Sequence, residues 1–292
     1  MKKKSGNDNI GYLFLLPNFL IYGLFILVPL LYSVFYSFTN FNLFEWEFVG
    51  LRNYKFMFND DHFIKALMNT AKYTVGSIFI SMILGLFLAI SLNSDIWGKK
   101  IFRPLFFIPN TVSVIAASMA WLYIYNNNVG ILNIFLSSIG LPKRNWLLDI
   151  DLALNSIIVV GIWASMGYNM IVYLAGLQTI PGYLYEAARI DGASGIRQFF
   201  SITLPMLAPT TFFLFVMGTI RSFQVFGQVY AMTNGGPMNS TTTIVHQIYL
   251  NGFEGYKMGY ASAQAVFLLI ATILITMLTF KYGSQSGEAS FY

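Results

Sequence analysis

Apolar residues gather in six long runs along the chain, and charged and turn-forming residues collect in the stretches between them. The runs cover about 10–36, 71–92, 104–125, 153–177, 206–230 and 261–281. Each reaches the roughly 20 residues that a helix needs to cross a bilayer. The runs contain helix interrupters or close-packing residues, such as Pro17 and Pro29 in the first, Gly85 in the second, Pro109 in the third, and Gly161 and Gly167 in the fourth. Prolines and glycines are tolerated in spans because neighbouring helices re-satisfy the backbone. Ser113, Ala116, Ala117 and Ala120 recur at helical spacing, which suits close helix–helix approach. The first run is too long for a signal-peptide core and ends in bulky aromatics, so it is expected to be an uncleaved span.

Composition supports this pattern. Of 292 residues, 56% are hydrophobic and only 10% are charged, against roughly 25% charged in soluble domains. So few charges cannot cover a water-exposed globule of this length, and the chain is expected to be an all-α polytopic membrane protein forming one domain over 1–292. The 28 Phe and 18 Tyr suit a lipid-facing surface with interfacial belts. There is no cysteine, which excludes disulfides, thiol chemistry and Cys-ligated metals. The net charge of +5 does not require nucleic acid as a partner.

Six spans place both termini on one side. If that side is the cytoplasm, the inner segments carry the MKKK start, Lys99, Lys100, Arg103, Arg189, Arg197 and Lys281 in a shorter total length than the outer segments. This is the sign that the positive-inside rule requires. The stretch 178–205 then faces inward. Outside, 50–68 alternates aromatics with charges and predicts an interfacial amphipathic helix. The apolar stretch 130–140 is too short to span and is expected on the outer surface. The segment 233–243, TNGGPMNSTTT, is a turn cluster at the outer end of the fifth span. The tail 283–292 is short and polar.

The segment 186–205, EAARIDGASGIRQFFSITLP, is the most polar internal segment that follows a long apolar one. Pro181 suits a helix's first turn and Ala187 and Ala188 are strong helix formers. Asp191-Gly192 predicts a break, Ser194 an N-cap for a second short helix through Phe200, and Pro205 the end of the loop. The result is a helix–turn–helix in which Ala187 and Ala188 leave a shallow docking surface. An ordinary connecting loop has the same composition. The register, however, resembles a known motif. Glu186-Ala187-Ala188, three residues, Gly192, nine residues, Ile202, one residue and Leu204-Pro205 match the EAA loop of bacterial ABC importer membrane subunits without insertion.

Further stretches resemble one branch of that family, the sugar permeases of binding-protein-dependent importers of the maltose and glycerol-phosphate type. They are LLPNFLIYGLFILVPLLYSVFYSF, FVGLRNYKFMF with Asn69-Thr70, IPNTVSV, VGILNIFLSSIGL, TNGGPMNSTTTIVHQIYLNGF and GYASAQAV. The start and the TNGGP segment resemble the maltose-F-type member of the permease pair. The resemblance implies a six-helix fold and a second, homologous permease as heterodimer partner. It also implies two ATPase subunits that bind the ATP and magnesium, and an extracytoplasmic sugar-binding protein. By position, Glu186, Ala187, Ala188, Asp191 and Gly192 fall on the loop that docks in the ATPase. The chain has no GxxxxGK[ST] phosphate-binding loop, so no cofactor is expected in it.

Arg221 is the ionisable residue inside a span, and such a residue marks a functional site by default. It lies about 24 Å of helix rise beyond Pro205, in the expected outer half. Gly218, Arg221, Ser222 and Val225 share a stripe, with Gln224 and Gln228 one step round. The fourth span offers Gly161, Ala164, Ser165, Tyr168 and Asn169. Small residues, an aromatic plate and polar groups are what a sugar site combines. For Arg221 a structural pair or snorkelling, and for Tyr168 a satisfied core tyrosine, remain open. His62 and His246 are far apart, and no nucleophile elbow, metal cluster or carboxylate pair is present in the sequence. A membrane enzyme therefore lacks its reactive groups. An ion-driven transporter lacks buried carboxylates, and an ABC permease for another solute shares the loop.

Overall fold

The computed structural model describes residues 8–94 and 97–288, and the described residues form helices with one isolated antiparallel bridge between Thr39 and Phe48. In chain order the helices are α1 (Asp8–Tyr22), α2 (Val28–Tyr36), α3 (Arg52–Met57), α4 (Asp61–Asn93), α5 (Lys99–Thr111), α6 (Val114–Ile124), α7 (Ile131–Ser138), α8 (Ala153–Gln178), α9 (Gly182–Ile190), α10 (Gly195–Gln198), α11 (Leu204–Met206), α12 (Ala208–Phe223), α13 (Gly227–Met232), α14 (Ile244–Tyr249) and α15 (Met258–Glu288). Four stretches are long and apolar enough to cross a membrane: Phe14–Tyr36, Asp61–Asn93, Ala153–Gln178 and Met258–Lys281. The bent pairs α5–α6 and Gly195–Met206 with α12 bring the total to six when each counts as one span. The chain divides into two compact units, 1–60 with 248–269 and 61–247 with 270–292.

In the first unit, α1 and α2 run together through a π-helical turn at Gly23–Leu27. Pro29, two positions after that turn, lacks an N–H and its ring crowds the carbonyl four residues back. Widening the helix by one residue relieves that crowding. A hairpin-like excursion follows, in which Asn40 N donates to Glu47 O at 3.1 Å and Asn53 Nδ2 donates to the carbonyls of Ser37 and Thr39. The start of α15 packs on it, with Gly259 N donating to Phe41 O and the Tyr260 hydroxyl donating to Asp60 Oδ2 at 2.7 Å.

The second unit is built around α8. Three of its glycines each admit a different neighbour: Gly161 admits the Tyr73 hydroxyl of α4, Gly167 the Phe106 carbonyl of α5, and Gly176 the Thr210 side chain of α12. Small residues let backbones approach where lipid supplies no hydrophobic drive. Gly85 of α4 returns the arrangement, since a Cβ there would lie 2.6 Å from that of Asn169. Met82, Ala89, Met170, Tyr173, Leu174, Leu207 and Leu214 fill the core beside it.

Several sequence expectations need correction. The stretch 50–68 is not one interfacial helix. It is α3, a break, and the first turns of α4, which begins at Asp61 rather than near 71. Asp61 in the first turn complements the helix dipole, and Phe63 and Ala66 are fully buried. The third span does not run straight over 104–125 but bends by 101° between α5 and α6. Val112 and Ser113 are extended there, in a Thr111–Val114 stretch of weak helix formers. The fifth helix ends at Phe223, not near 230, and restarts as α13 after Phe226. Its entry is also displaced. Pro205 sits in α11, and the bend of 61° falls at Leu207. The second loop helix runs past Phe200 into a π-helical turn at Phe199–Thr203, again two positions before a proline. Pro181 precedes α9 instead of opening it.

Candidate functional site

A cavity of about 320 Å³ lies in the second unit, among α4, α8, α12 and the broken ends of α5, α6 and α13. All eight residues singled out in the fourth and fifth spans line it: Gly161, Ala164, Ser165, Tyr168, Asn169, Gly218, Arg221 and Ser222. Helix geometry explains the first five, because residues three and four apart share a face. Gln224, Val225 and Gln228 also line the cavity. They arrive through the interruption after Phe223 rather than along a continuous helical stripe. The freed Val225 carbonyl accepts from Thr243 Oγ1 at 2.9 Å, so the break is satisfied without solvent.

The polar groups are largely pre-oriented. The Tyr73 hydroxyl donates to Gln228 Oε1 at 2.8 Å, and Asn169 Nδ2 donates to Ser81 Oγ at 3.1 Å. Ser165 Oγ donates back to Gly161 O at 2.6 Å, and Ser222 Oγ to Thr219 O at 3.0 Å. The Arg221 guanidinium carbon sits 4.5 Å from the centre of the Tyr168 ring, a cation–π arrangement. Tyr168 is therefore half-buried beneath a cation. The sequence reading missed Tyr73, Ser77, Ser81 and Asn110, which also line the cavity. The first three stand four residues apart on an otherwise apolar helix, and that spacing was the available signal.

The second candidate region is the loop 182–206. The α9 helix closes in a Schellman turn: Ala193 N donates to Ala188 O at 2.8 Å and Gly192 N to Arg189 O at 3.1 Å. Gly192 has φ +75° and a Cβ there would meet nothing within 4 Å, so only backbone conformation demands glycine. Ser194 caps α10, accepting from Arg197 N at 3.4 Å. One side of the loop packs on the bundle through Leu184, Tyr185, Ile202 and Met206, and the Tyr185 and Thr203 hydroxyls, 2.9 Å apart, tie its two arms to each other. The other side is open: Glu186, Ala187, Asp191 and Gly192 are exposed and Ala188 is half-buried. Ile190 and Ile196 flank the turn at 87% and 75% exposure.

The turn at 233–243 contrasts with it. Asn69 Nδ2 donates to the carbonyls of Asn239 and Thr242, and Lys65 Nζ donates to Met238 O, which ties the turn to the start of α4. His246 is fully buried behind it, with Nε2 3.1 Å from Asn234 Oδ1 and Nδ1 unpartnered. Burial holds its imidazole below the ordinary value of 6.5. No group of three or more His, Cys, Asp or Glu suited to a metal ion occurs among the described residues.

A family model described as the binding-protein-dependent transport system inner membrane component matches residues 81–284. A probable ABC transporter permease protein, YurN of Bacillus subtilis (strain 168), is 39% identical over 97% of this chain and 98% of its own length. The sn-glycerol-3-phosphate transport system permease protein UgpA of Agrobacterium fabrum (strain C58 / ATCC 33970) is 34% identical, covering 94% of this chain and 95% of that protein. Among solved structures, a chain of a bacterial ABC transporter involved in the import of the acidic polysaccharide alginate superposes with a TM-score of 0.83. It is 24% identical and covers 95% of this chain and 96% of its own.

Proposed function

This chain belongs to the family of binding-protein-dependent transport system inner membrane components, and on that premise we propose that it carries a carbohydrate through its second-unit cavity, driven through the loop 182–206. It is a multi-pass membrane permease subunit of an ABC importer and not an enzyme; hydrolysis belongs to a separate ATPase subunit. The observation that carries the sugar reading is the cavity lining. Small residues leave room beside the Tyr168 ring, and fixed hydroxyl and amide groups surround it. That combination suits a pyranose face and its hydroxyls. Two similar proteins support it by what they handle. One is named for sn-glycerol-3-phosphate transport, and an alginate transporter of this fold was solved with an alginate pentasaccharide-bound periplasmic protein.

In this reading both termini are cytoplasmic, and a second, homologous permease completes the translocation path. Two ATPase subunits bind ATP and magnesium and grip Glu186, Ala187, Ala188, Asp191 and Gly192. An extracytoplasmic binding protein delivers the sugar. ATP-driven closure of the ATPases draws the two loops together, and the bundle alternates its opening. The fastened inner side of the loop and its exposed outer side suit a short, stiff lever.

The test is reconstitution of the complete system in proteoliposomes, with ATP inside and binding protein outside. The expected result is accumulation of a radiolabelled carbohydrate that stops without ATP. Accumulation of amino acids but of no carbohydrate would overturn the sugar reading.

A further inference from the structure

The cavity carries an unbalanced charge. Arg221 is the one charged side chain in its lining, which contains no carboxylate, lysine or histidine. Among the described residues, nothing accepts a hydrogen bond from its guanidinium, and its recorded partner is the face of Tyr168 at 4.5 Å. A charge at membrane depth is costly unless something compensates it. Part of the compensation is local, because Arg221 stands in the last turn of α12, at the negative end of the helix dipole. That end is weakened, since Gln224 N and Val225 N already donate to the carbonyls of Arg221 and Ser222. The Tyr168 ring holds the guanidinium at 4.5 Å, and its N–H groups remain for an acceptor. Gly218 and Ala164 leave space in the lining. A guanidinium whose N–H groups are open matches two oxygens of one oxyanion.

Resting on the carbohydrate reading above, we propose that the preferred cargo bears an oxyanion, a carboxylate or a phosphate, and that Arg221 selects it by a two-pronged contact inside the cavity. Neutral sugars fit the same hydroxyl and amide lining but leave the guanidinium uncompensated, so they pass more slowly.

The experiment uses the complete transporter in proteoliposomes and four matched probes: a neutral disaccharide, its uronic acid, the methyl ester of that acid, and its phosphate ester. For the unmodified protein, the acid or the phosphate should show kcat/KM for uptake roughly tenfold to a hundredfold above the neutral sugar and the methyl ester, the range expected of a charge-assisted pair. Which of the two leads distinguishes carboxylate from phosphate as the recognised group. The ester comparison needs no variant, so it stands even where a substitution fails to assemble. Arg221→Gln should erase the preference, and Arg221→Lys should keep part of it. Uptake of both the acid and the phosphate ester no faster than that of the neutral sugar and the methyl ester by the unmodified protein overturns the proposal while leaving sugar transport intact. An acid or phosphate preference retained in Arg221→Gln also overturns it, by placing selection elsewhere than at Arg221. ATP-driven uptake of a non-carbohydrate with no uptake of any of the four sinks the carbohydrate reading itself.

Discussion

Among the turns that rest on a glycine with positive φ, those at Gly192 and Gly235 solve different problems. Gly192, at φ +75°, has open space around it, and its neighbours Ile190 and Ile196 are bare. Gly235, at φ +82°, is hemmed in by the Thr242 hydroxyl and by the His246 ring at 2.9 Å. Around Gly235 the backbone is tied down by Lys65, Asn69 and the hydroxyls of Thr233 and Thr241. The first turn is a handle, shaped but unfilled, that waits for another surface. The second is a strut that fastens the start of α4 to the end of α13 and caps the break beside the cavity. The same local backbone requirement therefore occurs in an open, exposed turn in one place and in internal bracing in the other. The neighbours distinguish the two cases and the glycine does not.

Substitutions can break or sharpen this contrast. The largest effect is expected from Gly235→Val, which combines left-handed strain with a clash into Thr242 and His246. Together these cost roughly 2–5 kcal/mol. Folded protein recovered from membranes should fall sharply, and an unchanged thermal midpoint would remove the distinction. Next comes Gly192→Val. It adds backbone strain of about 1–2 kcal/mol in an exposed turn and no clash. ATP-driven uptake should drop roughly fivefold to thirtyfold, because 1.4 kcal/mol is a factor of ten, while the thermal midpoint falls much less than for Gly235→Val. Gly192→Asn, which tolerates this region better, should recover much of the loss.

A smaller effect concerns pH. The folded state holds the His246 imidazole below 6.5, so the unfolded chain takes up the proton first. Its contribution is intact above pH 6.5 and declines as pH falls below that value, by no more than about 1.4 kcal/mol per unit. Thermal unfolding across pH 5–8 should show this dependence, and His246→Gln should flatten it. The smallest effect is Ser194→Ala. Removing this exposed cap at 3.4 Å should cost about 0.5–1 kcal/mol locally. Hydrogen exchange at Arg197 N should report it without a measurable change in uptake.

Much of the architecture was legible because membrane helices announce themselves by length and hydropathy. The turn at Gly192 was legible because glycine there answers a local backbone need. The cavity residues of α8 were legible because 3.6-residue periodicity holds along an unbroken helix. What escaped was set by tertiary contact. The early end of α12 is matched by Thr243, distant in sequence, whose hydroxyl satisfies the Val225 carbonyl that the break opens. The start of α4 at Asp61 was obscured because its first turns carry the exposed Asp61, His62 and Lys65 and are held through Asn69 and Thr70 by residues 242 and 244. Tyr73, Ser77 and Ser81 were overlooked because their stripe became meaningful only once α8 was placed against it.

The central claim is that the bare side of the 182–206 loop faces the cytoplasm and is covered by the ATPase. The chain has no cysteine, so a single Ile190→Cys substitution gives a clean probe. Labelling with a membrane-impermeant maleimide should fail in intact cells and succeed in inverted vesicles stripped of the ATPase. It should be suppressed again when the ATPase pair is restored. Labelling from the outside of intact cells, or labelling in vesicles that the ATPase does not diminish, would contradict the account.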